Sequence, residues 1–116
     1  MTATSKDPFE IENWVNALGR KGKDFPYVNS LKSMIGHCIS AAGAIESVAV
    51  VLELNEGFLY PSINCEDVHP EIEKIIDPNK IPQTLKENLD LQIIAKASFG
   101  FGDVNACTIF KKYPNG

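Results

Sequence analysis

The chain has 116 residues, of which 44% are apolar and 22% are charged, and its formal net charge is −4. This composition is ordinary for a globular protein, and the length allows a single domain over residues 1–116 with one modest core. The eleven Lys and Arg side chains are scattered rather than gathered into a basic stretch, so we predict no nucleic-acid partner.

No stretch of the sequence is typical of export or of membrane insertion. The first residues lack a basic start and an apolar signal segment. The longest apolar run, Cys38 to Leu54, includes Glu46 and Glu53 and is too short and too charged to span a bilayer. The three cysteines, Cys38, Cys65 and Cys107, form no CxxC pair, and their odd number leaves one thiol outside any disulfide scheme. We therefore expect a cytoplasmic protein with no membrane partner.

The first element in the pattern is a helix. Asp7, Pro8 and Glu10 fit a first helical turn, because proline needs no amide hydrogen bond there and acidic side chains suit the positive end of the helix dipole. The apolar residues that follow at helical spacing are Ile11, Trp14, Val15 and Leu18. Gly19 ends this helix, and residues 25–28 predict the entry to a short buried strand.

The most regular helical pattern begins at Ile39. Its apolar residues recur every three or four positions and are Ala42, Ile45, Val48, Ala49 and Leu52. Residues 55–57 mark the end of the helix, and residues 58–64 predict extended chain. Between residues 65 and 90, prolines stand among alternating charges, which predicts a loop with one helical turn. Two β-rich runs, residues 91–98 and 104–110, flank a glycine-rich turn and predict a hairpin.

Lys32 and His37 are the first candidate site residues. They lie five positions apart in a polar connector, which would place them on different faces of a helix. A loop folded around Gly36 could instead bring both to one pocket. Spacing alone does not decide, and a solvated lysine with a structural histidine is the simpler interpretation. His37, His69 and the cysteines show no metal-ligand spacing, so we predict no metal site.

Three segments in this order carry a family resemblance: residues 29–37 (NSLKSMIGH), 57–64 (GFLYPSIN) and 98–105 (SFGFGDVN). Together they resemble the C-terminal part of a β-ketoacyl-acyl-carrier-protein synthase, the condensing enzyme of fatty-acid and polyketide synthesis. The resemblance covers residues 2–112. It implies an α/β fold, the C-terminal half of a thiolase-like fold with a mixed sheet packed against helices.

The resemblance also implies a reaction and its partners. The family, an acyltransferase family, catalyses decarboxylative Claisen condensation of acyl and malonyl thioesters. These substrates are carried on the phosphopantetheine of acyl carrier protein, so no cofactor of its own is expected for this chain. The expected partners are acyl carrier protein, a ketosynthase N-terminal half or a full synthase, and a second copy in a homo-oligomer.

Catalytic roles follow from the same resemblance. His37 matches the histidine that donates a hydrogen bond to the thioester carbonyl of the malonyl unit, where a preorganised donor stabilises the enolate. A neutral imidazole can donate this bond without changing its protonation state. Lys32 matches a lysine that supports the active-site network, and Glu46 matches the acid that pairs with that lysine. A carboxylate on an apolar helix needs such a partner, unless Glu46 simply faces solvent.

Residues 98–102 resemble the turn that gates the acyl chain in the family. Phe101 matches the gate, with Phe99, Gly100 and Gly102 around it, although glycines flanking an aromatic residue also make a plain hairpin turn. Asp103 stands where the family usually has glycine. We expect it to reduce backbone freedom and to add negative charge near the site.

The nucleophilic cysteine and a second histidine of the family lie outside the segment that this sequence resembles. Residues 2–10 resemble the stretch just after that histidine, with about one residue deleted. Cys38, Cys65 and Cys107 do not resemble the nucleophile segment, so the chain alone is not expected to condense. Three hypotheses remain: a catalytic portion completed by another polypeptide, a non-catalytic module that binds acyl carrier protein or a full synthase, and a fragment that self-associates through apolar faces.

Overall fold

The computed structural model describes residues 7–63, 68–102 and 104–114, without the side chain of Asp7. The chain forms two compact units. Unit 1 consists of Met1–His37 and Tyr60–Leu85, and unit 2 consists of Cys38–Leu59 and Lys86–Gly116. The single domain predicted from the length stays a prediction.

The described residues form four α-helices, two 3-10 helices and two strands. The α-helices are α1 (Asp7–Leu18), α2 (Lys32–Ile35), α3 (Ala42–Glu56) and α4 (Pro70–Glu73). The 3-10 helices are Ile39–Ala41 and Pro78–Lys80, and the strands are β1 (Ile93–Phe99) and β2 (Asn105–Lys111). Within these described elements, no helix has the length and apolar character that crossing a membrane requires. Helices combined with a small sheet agree with the predicted α/β class.

Unit 1 is built around one cluster of buried apolar side chains. The members of this cluster are Ile11, Phe25, Ile72, Ile76 and Ile81. Helix α1 supplies Ile11 and packs against α4, while Trp14 and Val15 lie beside the cluster. The helix bounds agree with the prediction, because Gly19 follows α1 with a φ of 65° and its N–H donates to the Val15 carbonyl at 2.9 Å.

One prediction for unit 1 is wrong, and a second is confirmed in part. Residues 25–28 form no strand: Phe25 is buried, but the Val28 N–H makes a single hydrogen bond to the Lys80 carbonyl, 2.8 Å long, instead of joining a ladder. In the described part of the segment 65–90, α4 is the predicted helical turn, whereas the 3-10 helix and the core residues Ile72, Ile76 and Ile81 were not predicted. The core positions could not be recognised in the sequence, because prolines and charged residues interrupt any regular spacing of the apolar residues in that segment.

Unit 2 pairs the longest described helix with the hairpin. Strands β1 and β2 are antiparallel, with Ile93 opposite Lys111 and Phe99 opposite Asn105, and α3 packs against both strands. The hairpin prediction is confirmed. In the described residues the sheet is two-stranded and antiparallel, and not mixed as predicted. The segment 25–28, which was expected to be a strand, joins no ladder that would widen it.

Helix α3 ends where the sequence predicts, at Gly57. This glycine has a φ of 69°, and its N–H donates to the Glu53 carbonyl at 2.9 Å. A Cβ at this position would lie 2.5 Å from the carbonyl oxygen of Leu89. The close approach lets the Leu89 N–H donate to the Gly57 carbonyl at 2.8 Å, which holds the segment before β1 against the end of the helix.

Apolar side chains cover two faces of α3. The buried ones are Ala42, Ala49, Val50 and Leu54. The exposed ones are Ile45, Val48, Val51 and Leu52, with Val48 62% exposed. A helix with apolar side chains on both its buried and its exposed face is typical of a position inside a larger protein. We call the exposed group the α3 stripe.

The hairpin also has an exposed apolar face. Lys96 of β1 contacts Glu46 of α3, so the alternate residues of β1 point away from that helix. Ile93 and Phe99 lie on this outer face, and so does Ile109 of β2, because it pairs with Ala95. Their side chains are 60%, 58% and 62% exposed, in that order.

Candidate functional site

Lys32 and His37 flank one short turn of helix in unit 1. Lys32 begins α2 and is half-buried, whereas His37 is exposed and lies two residues after Ile35, the last residue of the helix. Gly36 ends the helix with a φ of 76°, a conformation that glycine adopts readily, and its N–H donates to the Lys32 carbonyl at 2.8 Å. The chain leaves the helical conformation at Gly36, and the helical turn before it was not predicted.

The backbone that leads to this turn is held by long-range hydrogen bonds. The Asn29 side-chain amide donates to the Tyr60 carbonyl at 3.0 Å. The Ser30 N–H donates to the Ser62 hydroxyl oxygen at 3.1 Å. Both bonds join segments about thirty residues apart, so they fix where α2 begins relative to the chain at residues 60–63.

Two serines complete this connection. The Ser33 hydroxyl donates to the Ser30 carbonyl at 2.9 Å and accepts from the Ile63 N–H at 3.1 Å. Ser62 is only 3% exposed, and its own N–H donates to the Pro82 carbonyl at 2.8 Å. We call the bonds of Asn29, Ser30 and Ser33 to residues 60–63 the serine clamp. It orients the backbone before His37 without using Lys32 or His37.

Sequence reasoning missed the serine clamp. The sequence pattern predicts extended chain at Ser62 and a polar connector at Ser33, with no role for either hydroxyl. The only signal was a polar residue within the apolar run 58–63. A polar group in such a run needs a partner when it is buried, but the sequence does not say which partner.

Glu46 lies on α3 in unit 2 and forms an ion pair with Lys96. Its Oε2 is 3.1 Å from the Lys96 Nζ, and the two side chains are 13% and 10% exposed. Lys96 Nζ also donates to the Ser98 hydroxyl at 2.6 Å. The predicted partner of Glu46 was Lys32, which belongs to unit 1, and that pairing stays a prediction.

Lys96 was not among the predicted site residues, although the sequence contains a signal for it. Lys96 is the only charge in the β-rich run 91–98. A charged side chain in a half-buried strand needs a partner of opposite charge. Sequence alone could not identify that partner as Glu46, because fifty positions separate the two residues.

The glycine-rich turn joins β1 to β2. The Gly100 N–H donates to the Val104 carbonyl at 2.7 Å, and Gly102 has a φ of 76°. Phe101 at the tip is 100% exposed. Asp103 lies outside the described residues, so its predicted effect on the turn stays a prediction. The gating role of Phe101, Phe99, Gly100 and Gly102 likewise stays a prediction.

The cysteines occupy unremarkable positions. Cys38 is half-buried just before the first 3-10 helix, Cys107 is exposed on β2, and Cys65 lies outside the described residues. Within residues 7–63, 68–102 and 104–114, no three His, Cys, Asp or Glu side chains come together as metal ligands would. Asp7 and Glu10, the acidic residues expected in the first helical turn, lie at the start of α1, and the side chain of Asp7 is not described.

Comparison with known proteins finds similarity along most of the chain. Residues 2–66 match the family described as beta-ketoacyl synthase, C-terminal domain. This match contains Lys32, His37 and Glu46 and ends before the glycine-rich turn.

Individual relatives extend the similarity. The 3-oxoacyl-[acyl-carrier-protein] synthase 1 of Haemophilus influenzae is 44% identical over 92 residues, which are 79% of this chain and 22% of the relative. Synthase 2 of Vibrio harveyi is 37% identical over 106 residues, 91% of this chain and 24% of the relative. The chloroplastic synthase II of Arabidopsis thaliana is 42% identical over 86 residues, 74% of this chain and 15% of the relative. The chain therefore spans less than a quarter of the length of these relatives.

Proposed function

This chain belongs to the β-ketoacyl synthase family, as residues 29–37 and 98–105 predicted, and we propose that it supplies the Lys32 and His37 part of a 3-oxoacyl-acyl-carrier-protein synthase. The observation that carries the proposal is the placement of His37. It is exposed directly after a short helix whose backbone the serine clamp holds, within the stretch that matches the family. A hydrogen-bond donor on a fixed backbone is what enolate stabilisation requires.

The proposed reaction assigns His37 one step. The malonyl thioester loses its carboxylate as CO₂, and the electron pair of the broken bond becomes a thioester enolate. The imidazole N–H of His37 donates to the developing oxyanion. The enolate carbon then attacks the acyl thioester carbonyl, forms the new carbon–carbon bond and expels the thiolate that held the acyl group. Lys32 supports His37 through the surrounding hydrogen bonds, and Glu46 supports Lys32.

The thiolate in this scheme comes from another polypeptide segment. Cys107 is exposed on a strand and Cys38 is half-buried, and neither adjoins a segment like the family's nucleophile. We assign the nucleophilic cysteine and the second histidine to a ketosynthase N-terminal half. A cysteine thiolate activated by its surroundings is needed to hold the acyl chain.

The exposed apolar faces of unit 2 support this assembly. In the α3 stripe and on the outer hairpin face, several exposed apolar side chains share one surface, and Val48 and Ile109 are each 62% exposed. Grouped exposed apolar residues of this kind mark a surface that binds another part of a protein, whereas single ones do not. In the proposal the N-terminal half covers them and completes a thiolase-like fold, in which further strands extend the two-stranded sheet into a mixed one. A second copy in a homo-oligomer, acyl carrier protein as the substrate carrier and a cytoplasmic location belong to the same proposal.

A second candidate function is a non-catalytic module that binds acyl carrier protein or a full synthase. The observation that favours it is Asp103, which stands in the gate turn where the family usually has glycine. Such a module would keep the family's docking surfaces and make no bonds. Unlike the first candidate function, the docking module does not need the His37 side chain for catalysis.

The two candidates are separated by a complementation experiment. The Haemophilus influenzae relative, without the 22% of its length that aligns with this chain, is produced together with the chain. Release of CO₂ from malonyl-acyl carrier protein and formation of the 3-oxoacyl product are then measured. The variants are His37→Ala and, as the matched control, His69→Ala, because His69 is exposed and caps α4 away from the clamp.

Opposite results are expected from the two histidines. His37→Ala should lower decarboxylation by about 10²–10³-fold, the usual effect of removing one oxyanion donor, whereas His69→Ala should leave it unchanged. If the wild-type mixture forms no product while the chain and His37→Ala bind acyl carrier protein equally, the docking module is the correct function and the catalytic proposal fails.

A further inference from the structure

Lys96 contacts both helix α3 and the start of the glycine-rich turn in unit 2. Its ammonium group is 3.1 Å from the Glu46 Oε2 on α3 and 2.6 Å from the Ser98 hydroxyl on its own strand. Ser98 is the first residue of the glycine-rich turn segment 98–102. One side chain therefore connects the helix to the base of the turn.

Lys96 and its two partners lie on the side of β1 that faces α3. Lys96 and Ser98 lie on the face of β1 that points toward α3, since alternate residues of a strand share a face. Lys96 is 10% exposed and Glu46 is 13% exposed, so both charges have lost most of their hydration. A charge placed in such a site is costly unless its partner and further hydrogen bonds compensate it, and Lys96 has both.

Lys96 acts here as a donor and not as a base. A serine next to a lysine can form a nucleophilic dyad, but that chemistry requires a neutral amine to accept the hydroxyl proton. An ammonium group that donates to a carboxylate and to a hydroxyl cannot do so. The arrangement therefore fixes geometry and does not activate Ser98.

We propose that Lys96 is a positioning residue, which holds the 98–102 turn against α3 through Glu46 and thereby sets the position of Phe101. Phe101 is 100% exposed, so the atoms around its ring do not hold it in place. Its position depends on the backbone of the turn. At one end of the turn the Ser98 hydroxyl accepts from Lys96, and the Gly100 N–H closes the turn by donating to the Val104 carbonyl. The consequence for the acyl chain rests on the proposed function, whereas the contact itself does not.

The contact is tested in the 116-residue chain by amide hydrogen exchange at Gly100, whose N–H closes the turn. Lys96→Met and Ser98→Ala should each raise the Gly100 exchange rate by about tenfold, because each removes a bond to a charged group. The double variant should show no further increase, since both act through one connection. Lys96→Arg should restore protection, and Lys111→Met, an exposed lysine on β2, should leave it unchanged.

Two results would overturn the proposal: an unchanged Gly100 exchange rate in both single variants, or additive effects in the double variant. If Lys96→Met unfolds the chain, Ser98→Ala decides alone, because it leaves the ion pair intact. In the complemented synthase, Ser98→Ala, which leaves the Lys96–Glu46 ion pair in place, should raise the KM for the acyl thioester several-fold and leave malonyl decarboxylation unchanged. A wild-type mixture without activity would refute the proposed function, while the exchange rates would still decide the role of Lys96.

Discussion

Among the described residues, the buried core cluster lies in unit 1, whereas two exposed apolar faces lie in unit 2. Unit 1 collects Ile11, Phe25 and Ile76 into a core in which each side chain is at most 2% exposed. Unit 2 buries one face of α3 but leaves the α3 stripe and the outer hairpin face in solvent. The unit that carries Lys32 and His37 thus has a core of its own, whereas the unit that carries Glu46 and Phe101 has surfaces that another layer of protein would cover.

This difference separates what each unit needs. The serine clamp and the core of unit 1 fix the His37 backbone by contacts within that unit. The apolar faces of unit 2 gain free energy only when something covers them, because exposed apolar area contributes nothing until water is removed. Substitutions in unit 1 should therefore act on the isolated chain, and substitutions on the exposed faces should act on assembly.

The largest effect is expected for Phe25→Ala. Phe25 is 2% exposed in the core of unit 1, and removing a buried phenylalanine costs about 3–5 kcal/mol through lost burial and the cavity that remains. Trp14 packs beside the same core and provides a fluorescence signal for urea unfolding. Phe9→Ala is the matched control, because Phe9 is 64% exposed on α1. Equal effects of the two variants would show that unit 1 has no core of its own.

Gly57→Ala should destabilise unit 2 by a backbone effect. A non-glycine residue with the φ of 69° at this position costs about 1–3 kcal/mol, and the added Cβ would meet the Leu89 carbonyl at 2.5 Å. Far-UV circular dichroism during urea unfolding follows this change through α3. Gly43→Ala is the control, since no atom lies within 4 Å of a Cβ there and alanine favours a helix. A Gly57→Ala chain as stable as the control would contradict the close approach.

Ser62→Ala should cost about 1–3 kcal/mol, because it leaves the Ser30 N–H without the acceptor that it has at 3.1 Å. The measurement is the free energy of unfolding followed by Trp14 fluorescence. Ser40→Ala is the control, because Ser40 is exposed. In the complemented synthase, Ser62→Ala should also lower decarboxylation, since the clamp orients the backbone before His37. A loss of stability with full decarboxylation would show that the clamp supports the core and not the site.

The sequence predicted the elements that have a regular period, whereas the roles of the site residues in its short motifs stay predictions. Helix α3, its end at Gly57 and the hairpin follow from spacing and from glycine, because these signals are local. The strand expected at residues 25–28 is wrong, since a short apolar run does not distinguish a strand from a buried loop.

Contacts between distant residues could not be predicted in this way. Ser62 is a polar residue in an apolar run, and Lys96 is the only charge in the β-rich run 91–98; both signal a need for partners but not their identity. Their partners, Ser30 and Glu46, are set by how the chain folds back on itself. The resemblance supplied roles for Lys32, His37 and Phe101, and it supplied none for the residues that hold them.

Val48→Asp should have the smallest effect on the isolated chain and the clearest effect on assembly. Val48 is 62% exposed in the α3 stripe, so the free energy of unfolding should change by less than about 0.5 kcal/mol. If the N-terminal half covers the stripe, the same carboxylate becomes buried without a partner, and association should weaken by at least tenfold. Analytical ultracentrifugation with the truncated Haemophilus influenzae relative measures this, with Phe9→Asp as the control, because Phe9 is an apolar residue of unit 1 that is 64% exposed. Equal weakening by both variants would show that any added surface charge weakens association and that the stripe is not the covered face. No weakening by Val48→Asp would mean that the exposed apolar face of unit 2 is not where the rest of the synthase binds, and the contrast between the units would then need another cause.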